Sequence, residues 1–281
     1  MNIFYIFRKK IEQLKIKMNN TNPIGVFDSG FGGLSVWIKL IEQLPNESMV
    51  YFADSANCPY GPKTQSEIIE LSKKITDFLI EKKCKIIVVA CNTATAAAIE
   101  YLRANYPITF IGMEPAVKPA AQQSKTGNIG ILATKGTLEG RLFKETSQKY
   151  THNMNVHIQI GEGLVEKVEA GDLNSDSTLK LLKKYINPMM ESNIDHLVLG
   201  CTHYPFLTET IQKITGDKLT IVNPANAIAL QTNRKLEENK IQNHSNKKPT
   251  YQFYLNKGNK SVLEKLIKTL NSNVKYECFE I

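Results

Sequence analysis

Two stretches of this chain decide its fold: residues 86–93, which read IIVVACNT, and residues 196–203, which read HLVLGCTH. Each contains a run of aliphatic residues, a pattern typical of a buried strand in a parallel sheet. Each run ends on a cysteine, Cys91 or Cys201, and small polar residues that suit the opening of a helix follow it. In open α/β sheets, ligands bind just beyond the carboxyl ends of the strands. The pattern therefore predicts two thiols on two strand-to-helix turns in similar settings.

The same succession of strand, turn and helix continues on both sides of these stretches. It is typical of a doubly wound α/β fold. Because the two cysteine stretches take similar places in two successive sets, we predict two pseudo-symmetric doubly wound lobes with parallel-rich sheets. The active site is expected in the cleft between the lobes. Further strands are predicted at residues 24–27, 50–53, 109–113, 128–132, 156–160, 219–222 and 251–255, and a helix at 261–270 is expected to close the chain.

The same patterns divide the chain into an extension and two lobes. Residues 1–22 are expected to be an N-terminal extension, because a basic amphipathic segment and a polar linker precede the first buried strand. One lobe is predicted to contain residues 23–114 together with 226–281. The other lobe is predicted to contain residues 115–225.

Length and composition are those of an ordinary globular enzyme. The 281 residues are 42% hydrophobic and 22% charged, and the chain is long enough for a sizeable core and two domains. The net charge is +8, of which the first 22 residues carry +4, five cations against one carboxylate, leaving +4 on the rest (8 − 4). This remainder gives no reason to expect a nucleic-acid partner.

Cysteine usage and hydropathy indicate the compartment. Five cysteines, an odd number, without an export signal favour a reducing compartment and free thiols. The apolar residues 1–7 precede the charges at 8–10, the reverse of the order in a secretory signal peptide. No stretch approaches the ~18 apolar residues that cross a bilayer. We expect a cytoplasmic protein with no membrane partner.

Four predicted turns bring chemically useful side chains to the strand ends. A carboxylate, Asp28, and an imidazole, His203, accompany the two thiols. The hydroxyl and amide groups of these turns, with helix N-terminal N–H groups, suit a carboxylate ligand. Two bases of one type suit a reaction that moves a proton from one face of a carbon to the other. The turns are Asp28-Ser29, Cys91-Asn92-Thr93, Thr134–Thr137 and Cys201-Thr202-His203.

The thiols need tuning for this chemistry. A free thiol has a pKa of ~8.5, and a helix N-terminus or a neighbouring cation lowers it. Acid/base catalysis is most effective when the pKa lies near the working pH. One thiol and one thiolate at equal distance from a carbon would supply one acid and one base. Asp28 is expected to assist one thiol and His203 the other.

Several of these features also have simpler interpretations. A cysteine after a buried strand is more often a core residue than a catalyst, and Cys58, Cys84 and Cys278 are assigned to that role. The glycines within residues 30–33 lack the G-x-G-x-x-G spacing of a nucleotide-binding loop. A nucleotide-binding function is therefore not favoured.

Two further alternatives concern the thiols themselves. Cys91, Cys201 and His203 are an alternative set of zinc ligands, since the Cys-x-His spacing permits metal binding. A protein that only binds amino acids between two lobes is an alternative to an enzyme, although binding alone requires no cysteines at the turns. We predict an enzyme with no metal and no cofactor.

Four motifs lie at residues 25–33 (GVFDSGFGG), 54–61 (Asp54-x5-Tyr60-Gly61), 90–94 (ACNTA) and 199–205 (LGCTHYP). Together they resemble the motifs of the glutamate racemase family. They occur in order within residues 23–230, whereas the C-terminal match is weak. Within the wider group of amino-acid racemases, a histidine directly after Cys-Thr indicates glutamate as the substrate. Another acidic amino acid such as aspartate is the alternative.

This resemblance implies a cofactor-independent interconversion of L- and D-glutamate that supplies D-glutamate for peptidoglycan. By resemblance, Cys91 takes the α-proton from D-glutamate with help from Asp28, and Cys201 takes it from L-glutamate with help from His203. An auxiliary glutamate of the family falls on Glu169, with the nearby Glu166 as the alternative. The substrate contacts implied are Asp28, Ser29, Tyr60, Gly61, Asn92, Thr93, Thr137, Thr202 and His203.

The resemblance also bears on partners. Some members of the family with an N-terminal extension are regulated by a cell-wall precursor. Residues 1–22 therefore suggest the hypothesis of such an activator. Members of the family dimerise in more than one arrangement, so a homodimer is compatible with the resemblance but is not specified by it.

Overall fold

The computed structural model describes residues 19–270 and 274–281 and contains two β-sheets with helices between the strands. Within the described residues, every pair of neighbouring strands is parallel. This confirms the predicted α/β fold with two parallel sheets. The strands are β1 (Ile24–Asp28), β2 (Met49–Ala53), β3 (Ile86–Val89), β4 (Phe110–Gly112), β5 (Asn128–Ala133), β6 (Asn155–Ile160), β7 (His196–Gly200), β8 (Thr220–Val222), β9 (Tyr251–Leu255) and β10 (Glu277–Glu280).

Helices connect most of the strands. Three short 3₁₀ helices lie at Ser55–Asn57, Tyr204–Leu207 and Gly216–Lys218. The α-helices are α1 (Leu34–Gln43), α2 (Gln65–Glu81), α3 (Asn92–Asn105), α4 (Val117–Gln123), α5 (Lys135–Glu139), α6 (Arg141–Tyr150), α7 (Leu164–Glu169), α8 (Asp176–Glu191), α9 (Thr208–Thr215), α10 (Ala225–Glu238) and α11 (Lys260–Thr269).

The strand order shows how the chain builds the two sheets. The first sheet has the order β10-β9-β2-β1-β3-β4 and the second has the order β6-β5-β7-β8. The first sheet is therefore made from both ends of the described chain, and the second from its middle. Helix α10 packs against α1, which returns the chain to the first sheet. Lobe 1 below means the first sheet with the loops that leave its strands, and lobe 2 means the second sheet with its loops.

Local sequence explains the central strands and the helix starts. Every residue of β1, β3 and β7 is buried, which accounts for their continuous apolar runs. Helix α2 begins with a capping box, in which the Thr64 hydroxyl accepts from the Glu67 N–H and the Glu67 carboxylate accepts from the Thr64 N–H.

Strand pairing decides which side chains meet. Strand β1 pairs with β3, and β5 pairs with β7, both in parallel. Residues at the carboxyl ends of neighbouring parallel strands emerge side by side. Asp28 and Cys91 are therefore neighbours in lobe 1, and Thr134 and Cys201 are neighbours in lobe 2.

Strand β10 and helix α4 are described elements that the sequence did not predict. Strand β10 lies at the edge of the first sheet, and three of its four residues are exposed, so it lacks an apolar run. The expectation that the helix after β9 closes the chain is therefore wrong. Helix α4 has only seven residues, too few for a clear apolar period.

The predicted extension is described only in part. Residues 1–18 lie outside the described residues, and residues 19–22 close a turn in which the Asn22 N–H donates to the Asn19 carbonyl at 2.9 Å. The buried Lys85 ammonium donates to the Asn20 carbonyl. Among the described helices, none combines the length and the hydropathy that a bilayer crossing requires.

Candidate active site

Cys91 is the N-cap residue of α3, as the sequence predicts. Its backbone is extended at the end of β3, and the Ala94 N–H donates to the thiol sulfur at 3.3 Å. The thiol itself faces the Ser29 hydroxyl at 3.7 Å. The side chain is buried, so both contacts act in a medium of low polarity. The strand-to-helix turn thus fixes the sulfur at the start of the helix.

The electrostatic setting of Cys91 differs from the expectation. Burial raises the pKa of the Cys91 thiol and the neighbouring Asp28 carboxylate raises it further, while the Ala94 N–H lowers it. The contact at the helix N-terminus is therefore outweighed by desolvation and by a negative neighbour. These neighbours favour the protonated thiol form of Cys91.

Asp28 lies completely buried between the two lobes. Its carboxylate accepts from the Gly30 N–H at 2.9 Å within lobe 1 and from the Thr202 hydroxyl at 3.0 Å across the cleft. Burial raises the pKa of Asp28, and the charge of His203 and the hydrogen bond from Gly30 oppose that rise. A carboxyl group with a raised pKa beside a thiol is suited to exchange a proton with it.

Cys201 faces a histidine that a glutamate holds in place. Its sulfur lies 3.7 Å from His203 Nδ1, and His203 Nε2 lies 2.7 Å from Glu169 Oε1. The Phe31 N–H of lobe 1 donates to the same carboxylate oxygen at 2.6 Å. The Gly32 N–H also lies against Nε2, at 3.2 Å. In the tautomer whose Nε2 proton points at Glu169, Nδ1 of a neutral ring can accept the proton of Cys201.

Neighbouring groups stabilise the protonated form of His203. Burial alone would lower the pKa of His203, but hydrogen bonds to Cys201, Cys58 and Glu169 raise it well above the usual value. The imidazolium form is therefore stabilised inside the protein. Glu169, 2.7 Å from Nε2, supplies the counter-charge to the ring.

Two glycines of lobe 1 allow lobe 2 to approach this closely. A Cβ atom on Gly30 would clash with the Glu169 carboxylate, and one on Gly32 would clash with the His203 ring. Close packing between the lobes therefore explains the glycines of this turn.

The two thiols face one small cavity between the lobes. The cavity holds about 10 Å³, which is room for about one water molecule. Among the predicted substrate contacts, Asp28 and Thr137 lie outside its lining. The lining residues are Ser29, Pro59, Tyr60, Gly61, Cys91, Asn92, Thr93, Thr134, Val165, Cys201, Thr202 and His203.

Thr137 lies next to the lining residues. Its hydroxyl is 2.9 Å from the Thr134 hydroxyl and 3.4 Å from that of Thr93. Thr93 and Thr134, which belong to different lobes, are themselves joined at 2.8 Å. Thr137 therefore supports two lining hydroxyl groups.

The amide of Asn92 is available to a ligand. Its Oδ1 is buried and has no hydrogen-bond partner among the described residues. A buried acceptor without a partner costs stability, so such groups commonly occur where a ligand completes the hydrogen bonding. An ammonium group in the cavity would be a suitable donor.

Tyr60 is hydrogen-bonded to a buried residue, Asp54, which belongs to one of the four motifs but was not among the predicted site residues. The Tyr60 hydroxyl donates to Asp54 Oδ2 at 2.6 Å, and Asn57 and Asn256 also donate to the Asp54 carboxylate. Asp54 therefore fixes the loop that carries Tyr60 and Gly61 at the cavity. The shared motif Asp54-x5-Tyr60-Gly61 was the available signal.

The structure also distinguishes between the candidate glutamates. Glu169 contacts His203, whereas Glu166 is exposed and lines an outer groove that shares Pro59, Gly61 and other residues with the cavity. The auxiliary position predicted from the resemblance therefore fits Glu169 better by contact.

Cys58 was assigned to the core, and its side chain does pack against the core, but it also reaches the candidate site. It is half-buried and follows the 3₁₀ helix after β2, and its sulfur lies within 4.8 Å of ligand atoms of Glu169 and His203. Its place directly before Pro59-Tyr60-Gly61 was the signal that could have found it. This group, rather than Cys91, Cys201 and His203, is the set of metal-capable side chains that the described residues bring together.

The fold and the site together define a class of protein. Two parallel α/β sheets place two thiols, each with its own acid/base neighbour, at one cavity. Such an arrangement can supply an acid and a base on two sides of a bound molecule. Residues 24–232 match the family model described as Asp/Glu/Hydantoin racemase, and the chain belongs to that family. It is an amino-acid racemase, an isomerase.

Individual relatives agree with this assignment. The chain is 46% identical over 214 residues to a glutamate racemase of Herpetosiphon aurantiacus, covering 76% of this chain and 84% of that protein. A crystal structure of a Bacillus anthracis glutamate racemase superposes with a TM-score of 0.81 at 32% identity, covering 94% of this chain and 99% of that one.

A third relative was crystallised with ligands. It is the Escherichia coli glutamate racemase in complex with L-glutamate and the activator UDP-MurNAc-Ala. Its TM-score is 0.80 at 29% identity, with 92% of this chain and 97% of that chain covered. The resemblance to glutamate racemases stated from four sequence motifs is thereby confirmed across nearly the whole fold.

Proposed function

We propose that this chain interconverts L- and D-glutamate by passing the α-proton between two thiols, Cys91 and Cys201. The observation that carries the proposal is the shared cavity: both sulfurs line it, one from each lobe, and each has an acid/base neighbour. A racemase needs one base and one acid on opposite faces of the α-carbon. Two sulfurs from opposite lobes meet that requirement.

Glutamate is the substrate proposed, because the relatives at 46% and 32% identity are glutamate racemases. The cavity lining suits an amino acid with acidic groups: Ser29 and Thr93 supply hydroxyl donors for carboxylates, and Asn92 Oδ1 offers an acceptor for the ammonium. The other acidic amino acid, aspartate, is the competing substrate.

In the direction from L-glutamate, Cys201 is the proposed base. His203 Nδ1 takes the thiol proton, and the Nε2 hydrogen bond to Glu169 stabilises the resulting imidazolium. The thiolate then removes the α-proton and becomes a thiol. The electron pair of the broken C–H bond passes into the α-carboxylate, which leaves the α-carbon planar.

Cys91 completes the reaction from the opposite face. Its raised pKa keeps the proton on sulfur until the planar carbanion forms, and the S–H then donates to the α-carbon. Asp28 lies beside it to exchange the proton that the thiol loses. From D-glutamate the same groups act in the reverse order, with Cys91 as the base and Cys201 as the acid.

The cavity lining supplies the stabilisation of the carbanion without lysine or arginine. None of the residues that line it in the described structure is a lysine or arginine, and the donors are hydroxyl groups and N–H groups at the start of α3. Fixed donors in a site without bulk water stabilise developing charge strongly, because they need no reorganisation during the reaction.

Substrate entry requires the lobes to move apart. A cavity of about 10 Å³ holds about one water molecule and not a glutamate. An outer groove of about 270 Å³ adjoins it and shares Pro59, Gly61, Thr134 and Val165 with its lining. We propose that glutamate enters through this groove as the lobes separate and that closure excludes water.

The direct test uses purified, reduced protein and D-glutamate in deuterated water without added cofactor. Optical rotation and the α-proton NMR signal are followed together. Loss of both supports racemisation with solvent exchange at the α-carbon. Parallel rates with L-aspartate decide the substrate, and a faster reaction with aspartate would refute glutamate. No reaction of the folded, reduced protein with either substrate, both with and without UDP-MurNAc-Ala, would refute the proposal.

We propose that the D-glutamate is made in the cytoplasm for peptidoglycan and that a cell-wall precursor regulates the enzyme. The support is the E. coli relative, crystallised with its activator UDP-MurNAc-Ala. The test compares the full chain with a chain that starts at residue 19, each with and without UDP-MurNAc-Ala. Equal rates in all four reactions would refute the regulatory part.

A further inference from the structure

We propose that Cys58, Glu169 and His203 form an inhibitory binding site for a soft divalent cation such as Zn²⁺. A thiolate, a carboxylate and an imidazole are three of the ligand types that zinc prefers, and water supplies the fourth position of a tetrahedral site. The proposal goes beyond the racemase function, because nothing in that reaction calls for a metal.

The geometry of the three side chains carries this inference. One ligand atom from each residue lies within 4.8 Å of the other two. A tetrahedral zinc ion holds its ligands about 3.3–3.8 Å apart, given bonds of about 2.0–2.3 Å. Small side-chain rotations therefore suffice to close the three ligands around one ion. Cys58 and Glu169 are only partly buried, which leaves the ion a route from solvent.

The three ligands come from both lobes. Cys58 follows β2 of lobe 1, whereas Glu169 ends α7 and His203 follows β7 in lobe 2. A cation bound to all three would cross-link the lobes across the cleft. Because substrate entry is proposed to require their separation, such a cross-link would oppose it.

The same ion would remove the base that serves Cys201. Glu169 faces His203 Nε2, so an ion between them takes the lone pair of Nε2 and displaces its proton to solvent. A neutral imidazole bound through Nε2 carries its remaining proton on Nδ1. Nδ1 is the atom 3.7 Å from the Cys201 sulfur, and it could no longer accept the thiol proton. Binding also releases the Cys58 proton.

Binding is tested first without any activity measurement, so that its failure is separate from failure of the racemase proposal. Tag-free, reduced protein is titrated with Co²⁺, whose thiolate complexes absorb in the near ultraviolet. Cys58→Ser is compared with Cys278→Ser, a matched control in which another half-buried cysteine is changed at the sheet edge. We expect the thiolate–cobalt band in the wild type and in Cys278→Ser and its loss in Cys58→Ser.

Inhibition is tested second, with each variant compared to its own metal-free rate. We expect Zn²⁺ to inhibit the wild type reversibly, with full recovery on adding EDTA. The Zn²⁺ concentration for half-inhibition should rise at least tenfold in Cys58→Ser and stay unchanged in Cys278→Ser.

Three outcomes would overturn the site. One is an equal cobalt band in both variants, and the second is equal Zn²⁺ inhibition of both. The third is a band that Cys201→Ser removes and Cys58→Ser leaves intact, which would place the metal on the cysteines that line the cavity. If Cys58→Ser does not fold, Glu169→Gln keeps the thiol and decides the matter: the band should persist with at least tenfold weaker Co²⁺ affinity, and unchanged affinity would overturn the proposal.

Discussion

The surroundings of Cys91 and those of Cys201 consist of different chemical groups. Around Cys91, a helix N-terminal N–H, a serine hydroxyl and a buried aspartate surround a thiol whose pKa is raised. Around Cys201, a histidine with a raised pKa stands 3.7 Å from the sulfur and is anchored by Glu169. Similar strand ends therefore carry unlike partners. The similar folds of the two lobes determine where the two sulfurs lie. The neighbouring groups give the two thiols different acid/base surroundings.

Removal of either sulfur should have the largest effect on the reaction. Cys91→Ser and Cys201→Ser should each lower racemisation by a factor of about 10³ or more, since an alcohol is a much weaker acid than a thiol. Neither change should unfold the protein, because serine is close in size. The measurement is the rate of loss of optical activity, with circular dichroism as the check on folding.

The two variants should also differ in what they still do. Cys91→Ser keeps Cys201, so it should slowly exchange the α-proton of L-glutamate for deuterium without forming D-glutamate. Cys201→Ser should do the same with D-glutamate. Cys278→Ser is the matched control and should racemise normally. Near-normal racemisation by either of the first two variants would contradict the two-thiol mechanism.

A smaller effect is expected when the Cys201 half loses its base. His203→Asn removes the acceptor 3.7 Å from the sulfur and the partner of Glu169, and kcat/KM should fall by a factor of about 10². Because the substrates are enantiomers, their equilibrium constant is one and kcat/KM falls equally in both directions. The separate kcat values are free to change unequally.

The comparison of kcat in the two directions is the informative measurement. If His203 serves Cys201, kcat from L-glutamate should fall more than kcat from D-glutamate, and the two KM values should shift to compensate. Glu169→Gln should show the same asymmetry at smaller size, since the histidine remains. Equal falls in kcat in both directions for His203→Asn would show that His203 does not distinguish the two halves.

The Cys91 half is probed through the charge of Asp28. The negative charge of Asp28 is one cause of the raised pKa of Cys91, so Asp28→Asn should lower that pKa. A lower pKa means more thiolate at a given pH, and alkylation of Cys91 by iodoacetamide should start at a lower pH. The expected shift of the alkylation midpoint is about one pH unit.

This shift is measured in a Cys201→Ser background by mass spectrometry of the peptide that contains Cys91. The unaltered Cys201→Ser protein gives the reference midpoint. Alkylation of Cys278 in the same samples controls for reagent reactivity, because that residue lies at the sheet edge. An unchanged midpoint, or one that moves to higher pH, would show that Asp28 does not raise the pKa of Cys91.

The sequence predicts the parts of this site that depend on one strand and its turn. Cys91, Asp28 and Cys201 each end or follow a buried apolar run, and that local pattern was sufficient to place them. Cys58 follows no such run within its loop, and its partners His203 and Glu169 lie more than 100 positions away in the other lobe. Contacts between lobes depend on packing that no local pattern encodes.

The same dependence on long-range packing explains why strand β10 and the raised pKa of Cys91 were not predicted. Strand β10 is an exposed edge strand, and it is supported by pairing with β9 and by packing of Cys278 against the core, which are contacts outside its own sequence. The pKa of Cys91 was expected to fall at the helix N-terminus. Desolvation by the second lobe and the charge of Asp28 reverse that direction, and both require the folded structure.

The smallest expected effect concerns a group that serves neither sulfur directly. Tyr60→Phe removes the hydroxyl that donates to Asp54 at 2.6 Å, while Asn57 and Asn256 still donate to that carboxylate. The loss of one buried hydrogen bond costs about 1–3 kcal/mol. Most of this cost should weaken the positioning of the loop at the cavity. KM for glutamate should rise several-fold while kcat changes less than twofold. Tyr106→Phe, which loses a surface hydrogen bond to Asp77 at 3.0 Å, is the matched control and should change neither constant. If Tyr60→Phe lowered kcat as strongly as His203→Asn does, the tyrosine would belong to the proton-transfer chemistry, and the division of the site into two halves around Cys91 and Cys201 would need a third component.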